Sequence, residues 1–127
     1  MPSNVKEKLA AANAVVPRLQ PSEVQSMLNR EDVLILDVRD GPEVEASAKI
    51  KGAVNVSRGM LEFRADPESP YHDPAFRKDK TVVVYCASGG RSALSGKTLK
   101  DFGYRSVYNA GGFKDLAEAG VETEPPR

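Results

Sequence analysis

The sequence predicts a single α/β domain with a mostly parallel sheet that is covered by helices on both faces. Short apolar runs, typical of strands buried on both sides, alternate with helical patterns and with turns rich in glycine and proline. This alternation favours parallel strands joined by right-handed crossovers. The length of 127 residues suits one such domain, and functional sites in these sheets form where the strands end.

Composition and charge restrict the class of function. Eighteen basic residues balance eighteen acidic ones, so no net charge draws the chain to nucleic acid or to an anionic membrane. No apolar run approaches the roughly 18 residues that a membrane-spanning helix needs. The first 19 residues lack the apolar core of a signal peptide, and the single cysteine excludes an intramolecular disulfide. We therefore expect a cytoplasmic protein without nucleic-acid or membrane partners, and the oligomeric state stays open.

The two ends of the chain are predicted to be segments distinct from the domain, and the first could pack on its own domain or reach a second subunit. Residues 4–16 have helix-forming composition, and this helix should end before Pro17, because a proline disfavours helical backbone in the residue ahead of it. This indicates an N-terminal helical arm over residues 1–16, followed by the domain over 17–122. The last residues, 123–127, are expected to fray.

The first helix and strand of the domain follow directly. A helix over 21–29 is indicated by Ser22 and Gln25, whose spacing is that of a weak capping box. The run 33–36 is apolar throughout and predicts a buried parallel strand, with Asp37 at its end. These two elements begin the predicted alternation.

The middle of the chain is less regular. A short helix over 43–47 and a short strand over 53–56 are predicted. Residues 64–80 carry three prolines among polar residues, which indicates a surface excursion with at most one helical turn near 75–78. The sequence assigns no function to this excursion.

The clearest strand covers residues 81–85, which favour β structure and run straight into Cys86. A helix over 91–102 follows, with Gly103 as its left-handed end. A strand, a tight loop and a helix therefore come in order around the cysteine. The remaining predicted elements are a strand over 106–109 and a helix over 113–119.

The loop that begins at Cys86 has the composition of an anion-binding cradle. A tight turn from strand to helix points successive backbone N–H groups into one concavity, and the helix N-terminus adds partial positive charge. With the guanidinium of Arg91 nearby, these dipoles favour the thiolate, the reactive form, so we predict a depressed pKa for Cys86. The candidate nucleophile is Cys86, and the candidate anion-binding residues are Ala87, Ser88, Gly89, Gly90, Arg91 and Ser92.

The competing interpretation is that this cysteine is structural. A lone cysteine at a strand end is more often a small buried hydrophobic residue than a nucleophile. A core cysteine, however, needs neither two glycines nor an arginine nor a helix start within the next five positions. These features together favour a functional thiol.

Four sequence blocks give the chain a resemblance to a known family. VVVYCASGGRSA (82–93) is followed by NAGGF (109–113), and LILDVRD (34–40) and IKGAVN (50–55) lie upstream, in the family's order. The chain thus resembles a rhodanese-homology domain over about residues 21–120.

This resemblance implies a five-stranded parallel sheet with helices on both faces, and a sulfurtransferase activity. In that activity Cys86 takes sulfane sulfur from an anionic donor such as thiosulfate, holds it as a persulfide and passes it to cyanide or a thiol, with ping-pong kinetics. A protein persulfide is a further candidate partner. No metal and no organic cofactor are expected.

Loop length separates the branches of that family. Four residues lie between Cys86 and Arg91, as in the sulfurtransferases, whereas the related dual-specificity phosphatases have a loop one residue longer. The radius of the cradle selects the group that the amides can surround, because hydrogen bonds weaken quickly beyond about 2.9 Å. Two alternatives stay open. One is a phosphatase or arsenate reductase with a similar cradle, and the other is a noncatalytic sulfur carrier or protein-binding module.

Further candidates lie outside the loop. Asp37 and Arg39 match a family block and are expected to tie the neighbouring strand end to the active loop, in a structural role. Lys51 is a candidate substrate-binding residue, because some family members carry a basic residue there that faces the donor. Arg58 is a weaker candidate for the same anion field, since an exposed arginine is usually just solvated. His72, the only histidine, lies in the excursion and poorly supports a protease-like pairing of cysteine and histidine.

Overall fold

The computed structural model describes residues 4–126, which form a four-stranded parallel sheet between two layers of helices. The strands are β1 (Val33–Asp37), β2 (Lys49–Ile50), β3 (Val54–Asn55), β4 (Thr81–Cys86), β5 (Val107–Gly112) and β6 (Thr123–Glu124). The helices are α1 (Val5–Val15), α2 (Pro21–Met27), α3 (Gly41–Glu45), α4 (Leu61–Ala65), α5 (Gly90–Asp101) and α6 (Phe113–Glu118), with a 3-10 helix (Arg58–Met60) before α4. The predicted α/β class is confirmed.

Alternate residues of the two central strands pack into two hydrophobic cores. Leu36 and Val84 are buried with side chains of α4 and α5, whereas Ile35 and Val83 are buried with side chains of α2 and α6. Because both faces of the sheet are covered, these strands are apolar at successive positions. The sheet has the order β3, β1, β4, β5, and its parallel strands end at one edge. Cys86 lies at that edge.

The sheet has four strands rather than the five that the resemblance implies. Next to β5, the linker between α1 and α2 forms a single parallel bridge, from Arg18 to Asn109. Asn109 donates its N–H to the Pro17 carbonyl at 2.9 Å, and Leu19 donates to the Asn109 carbonyl at 3.1 Å. Pro17 has no N–H and Pro21 already belongs to α2, so the linker is too short to pair further.

Helix α1, the core of the predicted N-terminal arm, packs along α5. Ala12 is fully buried, and Val16, at the end of the helix, joins the core on that face of the sheet. A Cβ atom on Gly96 of α5 would lie 2.8 Å from the Val16 side chain, so the glycine permits the close approach. The predicted end of the helix before Pro17 is confirmed. Residues 1–3 of the arm lie outside the described part of the chain.

Two local predictions were wrong. Helix α2 begins at residue 21 as predicted, but this is two residues earlier than the capping box at Ser22 and Gln25 requires, because Pro21 takes the first helical position. Its cap is Gln20, whose N–H donates to the Glu23 carboxylate at 2.8 Å. The second error concerns α4 and the preceding 3-10 helix, which lie in a stretch that the sequence left irregular.

The proline-rich excursion is anchored rather than loose. Residues 75–78 form no helical turn, but Phe76 is 1% exposed and packs edge to face on Tyr104, with ring centroids 6.4 Å apart. The Tyr104 hydroxyl donates to the Ala65 carbonyl at 2.8 Å. One buried aromatic side chain therefore holds the excursion to the core.

The tail is partly ordered, contrary to the expectation that it frays. Strand β6 pairs antiparallel with β2, with Lys49 opposite Glu124 and Ile50 opposite Thr123. The N–H of Gly52 also donates to the Glu124 carboxylate. The sequence misses this pairing because two-residue strands carry no periodic pattern. Across residues 4–126, no helix has the length and apolarity to cross a membrane.

Candidate active site

Cys86 lies at the carboxyl end of β4, at the point where the chain turns into α5. The residue is 1% exposed, and its Sγ accepts a hydrogen bond from the Gly89 N–H at 3.0 Å. The Ser92 hydroxyl lies 3.4 Å from the same sulfur. Gly89 caps α5 with a φ of +104°, a conformation that favours glycine. The loop therefore curls around the sulfur as predicted.

Opposing effects act on the pKa of the Cys86 thiol. Burial, the largest effect, raises it, but hydrogen bonds to the sulfur outweigh burial and the net shift is downward. The Ser92 hydroxyl lowers the pKa most, followed by the backbone N–H groups of Ser92, Gly89 and Ser88. Thiolate character at Cys86 thus arises from the loop and the start of α5, as expected of amides aimed at a sulfur.

The remaining loop residues form an exposed rim and a buried base. Ala87 and Ser88 are exposed, whereas Gly89 and Ser92 are buried. Gly112 lies directly behind the rim, since a Cβ atom there would overlap the Ala87 carbonyl. A side chain at that position would push the loop away from β5, so the second glycine of the NAGGF block permits the contact.

Asn109 supports the loop from β5. Its Nδ2 donates to the Gly89 carbonyl at 3.1 Å, and its Oδ1 accepts from the Gly111 N–H at 2.9 Å. The Ser92 hydroxyl lies 2.7 Å from the same Oδ1. Asn109 is 1% exposed, so these contacts are shielded from water. The sequence predicted only that this residue lies at the end of a strand. Its place in the NAGGF block was the one signal that it belongs to the site.

Arg91 lies at the start of α5 but its guanidinium is already engaged. Nη1 and Nη2 donate to the two carboxylate oxygens of Glu43 in α3, at 2.6 Å and 2.9 Å. The pKa of Glu43 is lowered to about 2, first by this hydrogen bonding and second by the Asp40 N–H. Sequence reasoning missed Glu43. Its spacing from Asp40 is that of a capping box, a local signal that carries no information about a partner 48 positions away.

Asp37 and Arg39 form a buried ion pair beside the site. Arg39 Nη2 lies 2.7 Å from an Asp37 carboxylate oxygen, and the two side chains are 4% and 0% exposed. The guanidinium also donates to the Ala48 carbonyl at 2.7 Å and lies 4.4 Å from the centre of the Phe113 ring. The pair therefore joins the end of β1 to the segment before β2 and to α6, rather than directly to the Cys86 loop.

Three other sequence candidates are not brought to the loop. Lys51 lies 3.4 Å from Glu122 and lines a cavity with Val33, at the start of β1 and thus at the opposite edge of the sheet. The prediction that Lys51 binds the sulfur donor is therefore wrong, because the side chain lies far from Cys86. Arg58 is paired with Glu62 at 2.9 Å. The His72 Nε2 lies 3.3 Å from the Phe76 carbonyl, within the excursion.

The profile of the family described as rhodanese-like domain matches residues 20–119. This span contains the Cys86 loop, Glu43 and Asn109. The chain belongs to the rhodanese-like domain family.

Two curated proteins illustrate the relationship. This rhodanese-like chain is 35% identical to the thiosulfate sulfurtransferase PspE of Escherichia coli K12 over 82 residues, or 65% of this chain and 72% of that protein. It is 33% identical over 104 residues to a tRNA uridine(34) hydroxylase of Cytophaga hutchinsonii, or 82% of this chain and 31% of that protein. The rhodanese-like chain thus spans about a third of the length of the hydroxylases that it matches.

Two solved structures share the fold closely. A Rhodopseudomonas palustris protein, described as of unknown function and as a possible tyrosine phosphatase, is 40% identical with a TM-score of 0.89, and the match covers 98% of this chain and 96% of that one. The polysulfide-sulfur transferase homodimer of Wolinella succinogenes is 33% identical with a TM-score of 0.74, and the match covers 93% and 85%. The names of these relatives therefore include sulfur transfer, hydroxylation and a suggested phosphatase.

Proposed function

We propose that this rhodanese-like protein is a sulfurtransferase that carries sulfane sulfur as a persulfide on Cys86. The observation that carries the proposal is the geometry at the sulfur. Cys86 Sγ accepts the Gly89 N–H at 3.0 Å and lies 3.4 Å from the Ser92 hydroxyl, at the start of a twelve-residue helix. Amides and a helix N-terminus that stabilise a thiolate also stabilise the anionic persulfide that replaces it.

In the first displacement the Cys86 thiolate attacks the outer sulfur of thiosulfate. The new S–S bond forms as the bond between that sulfur and the sulfonate sulfur breaks, and sulfite leaves with the bonding electron pair. The enzyme is left with a persulfide anion. Backbone amides of residues 87–92 would hold the donor and the terminal sulfur in line, with no metal or organic cofactor taking part.

In the second displacement an acceptor takes the terminal sulfur. Cyanide attacks that sulfur, the S–S bond breaks toward Cys86, and thiocyanate and the thiolate are formed. A thiol, or the cysteine of a partner protein, would accept sulfur in the same way. The persulfide form of the enzyme is the product of the first displacement and the reactant of the second, so ping-pong kinetics are expected.

Arg91 has a smaller role here than the sequence suggested. Its guanidinium is bound on two nitrogens by Glu43, so much of its charge is compensated. In the proposed reaction Arg91 and Glu43 position the start of α5, and the loop amides supply most of the anion binding. Asp37 and Arg39 keep the neighbouring strand end in place.

Two of the relatives support sulfur chemistry, and a third leaves a second candidate. The curated thiosulfate sulfurtransferase and the solved polysulfide-sulfur transferase both move sulfur, as their names state. The relative described as a possible tyrosine phosphatase favours phosphate-ester hydrolysis as the second candidate. Four residues between Cys86 and Arg91 argue against it, because the related phosphatases have a loop one residue longer. A cytoplasmic location also suits the proposal, since thiols stay reduced there.

The deciding experiment measures thiosulfate:cyanide sulfurtransferase activity and intact mass together. Wild-type protein and Cys86→Ala are each treated with thiosulfate alone, weighed, and then assayed for thiocyanate production. We expect one added sulfur atom and turnover with the wild type, and neither with the variant. Ser95→Ala, a buried serine of α5 without a contact to the sulfur, is the control that should behave as wild type.

Other results assign the other functions. An added sulfur without turnover would identify a sulfur carrier. Absence of both, together with hydrolysis of an aryl phosphate that is lost in Cys86→Ala, would replace the proposal with a phosphatase.

A further inference from the structure

Ion pairing at the active site leaves one nearby guanidinium free. Arg39 is paired with Asp37, and Arg91 is paired with Glu43. Within residues 4–126, the side chains of Arg18 and Arg105 make no hydrogen bond or ion pair, unlike those of the other arginines. Arg18 is the one of these two that lies beside the Cys86 loop.

The backbone holds Arg18 in place. The residue forms the parallel bridge to Asn109, and the bonds from its neighbours Pro17 and Leu19 to Asn109 measure 2.9 Å and 3.1 Å. Arg18 itself is exposed, whereas Leu19 is buried in the core. Asn109 also supports Gly89, so a single residue fixes both the loop and the backbone that carries the guanidinium.

The guanidinium lies over two glycines at the base of the loop. A Cβ atom on Gly111 would lie 2.5 Å from Arg18 Nη2, and one on Gly89 would lie 3.8 Å from Nη1. Gly89 donates the hydrogen bond that Cys86 Sγ accepts at 3.0 Å. The distance from Arg18 Nη1 to the Gly89 Cβ position, the covalent bonds from there to the Gly89 nitrogen and the hydrogen bond to Sγ together place the charge no more than about 10 Å from the sulfur. This is about one Debye length at 0.1 M salt, so the charge acts at the sulfur.

A cavity beside Arg18 gives an anion room near its guanidinium. Its volume is about 350 Å³, and Arg18, Gln20, Gly112 and Asp115 line it among other residues. No residue of the Cys86 loop lines this cavity, and Gly112, which packs on the Ala87 carbonyl, is the lining residue that contacts the loop. Asp115 partly offsets the positive charge but lies beyond ion-pair distance of Arg18.

We propose that Arg18 is a specificity-determining residue that attracts small sulfur anions, such as thiosulfate, to Cys86. Neutral reagents reach the thiolate equally well without it. The choice of thiosulfate rests on the proposed function, whereas the effect of the charge on Cys86 does not. A unit charge about 10 Å away in water changes the encounter with a monoanion about twofold and with a dianion about fourfold, and less in high salt.

The test compares two alkylating agents that differ in charge. Second-order rate constants for Cys86 are measured at low salt with iodoacetate, an anion, and with iodoacetamide, which is neutral. Both rate constants are proportional to the thiolate fraction of Cys86, so this fraction cancels in their ratio. We expect Arg18→Gln to lower the ratio about twofold or more, Arg18→Lys to keep it, and 1 M salt to remove the difference. Arg105→Gln is the matched control, because Arg105 precedes β5 at the opposite edge of the sheet.

A second measurement follows persulfide formation from thiosulfate by intact mass. Arg18→Gln should slow it about fourfold, and Arg105→Gln should not. An unchanged alkylation ratio in Arg18→Gln, or the same loss in Arg18→Lys, would overturn the inference. If no variant forms a persulfide while the alkylation ratio falls in Arg18→Gln, the proposed sulfurtransferase fails and the charge effect stands.

Discussion

Glu43 in α3 and Arg91 at the start of α5 form a two-point ion pair, with oxygen to nitrogen distances of 2.6 Å and 2.9 Å. The residues are 48 positions apart, so the pair joins the active loop to the helix that follows β1. A carboxylate thus stands beside a site that is proposed to bind anions.

Removal of that carboxylate should favour the anionic donor. Glu43→Gln leaves the charge of Arg91 uncompensated, and we expect the KM for thiosulfate to fall about twofold or more with little change in kcat. Steady-state kinetics at low salt measure this. Glu62→Gln is the control, because its carboxylate is paired with Arg58 at 2.9 Å and the pair lies away from the loop. A higher KM or a lower kcat in Glu43→Gln would contradict this expectation and would show that positioning the start of α5 matters more than the charge that Glu43 compensates.

The same pair should make stability depend on pH in acid. The pKa of Glu43 is lowered to about 2 in the folded chain, chiefly by its hydrogen bonds with Arg91, from an ordinary value of 4.5. The folded state therefore binds fewer protons than the unfolded state in this range, and stability rises with pH. The contribution is complete above about pH 4.5 and is lost as pH falls toward 2.

Urea unfolding of wild type and Glu43→Gln from about pH 3 to pH 6 measures this contribution. The side chains of Arg91 and Glu43 are 35% and 38% exposed, so the difference in unfolding free energy should stay below about 1 kcal/mol. It should shrink as the pH falls. A difference that grows toward low pH would contradict the lowered pKa.

Ser92 should control the ionisation of Cys86. Burial raises the pKa of this thiol, but the Ser92 hydroxyl and the loop amides lower it by more. The pKa of Cys86 therefore lies below its ordinary value of 9.0. We expect Ser92→Ala to raise the midpoint of the pH dependence of alkylation by iodoacetamide. Ser95→Ala is the matched control, because its hydroxyl donates to the Arg91 carbonyl at 2.7 Å instead. Equal midpoints in wild type and Ser92→Ala would assign the shift to the amides alone.

Asn109 should matter for both stability and chemistry. Asn109→Ala leaves the Gly111 N–H without its buried partner and removes one of the three hydrogen bonds that the Gly89 carbonyl accepts, at a cost of about 2 kcal/mol in unfolding free energy. Because Gly89 then loses its support, persulfide formation should slow as well. Asn55→Ala removes amide bonds to the Asp37 and Arg39 carbonyls, and it should lower stability without slowing persulfide formation. Equal rates of persulfide formation in both variants would show that Asn109 does not support the loop.

Local sequence was enough to predict the strand, loop and helix around the thiol. The apolar run before Cys86 predicts a buried strand, and the glycines and Arg91 predict a turn into a helix. The structure has β4 ending at Cys86 and α5 beginning at Gly90, after the left-handed Gly89. The shifted cap of α2 shows the limit of such patterns, since Pro21 at the first helical position decided the start.

The residues around the loop could not be predicted in the same way. Glu43 and Asn109 reach it from other elements, 48 positions from Arg91 and 17 positions from Ser92. Arg18 reaches it through a bridge to β5, whereas Lys51 falls at the other edge of the sheet. None of these contacts leaves a periodic or local signal, because each depends on strand order and register.

Patterns in the sequence are thus sufficient to predict the α/β class, the place of Cys86 at the end of a strand and the loop that surrounds it. These follow from backbone preferences and hydrophobic patterns that act over a few neighbouring residues. Which charges lie near Cys86 depends on tertiary packing, which pairs Arg91 with Glu43 and leaves Arg18 without an ion pair among residues 4–126. Coulombic interaction depends on distance in space, and the packing of separate elements sets that distance.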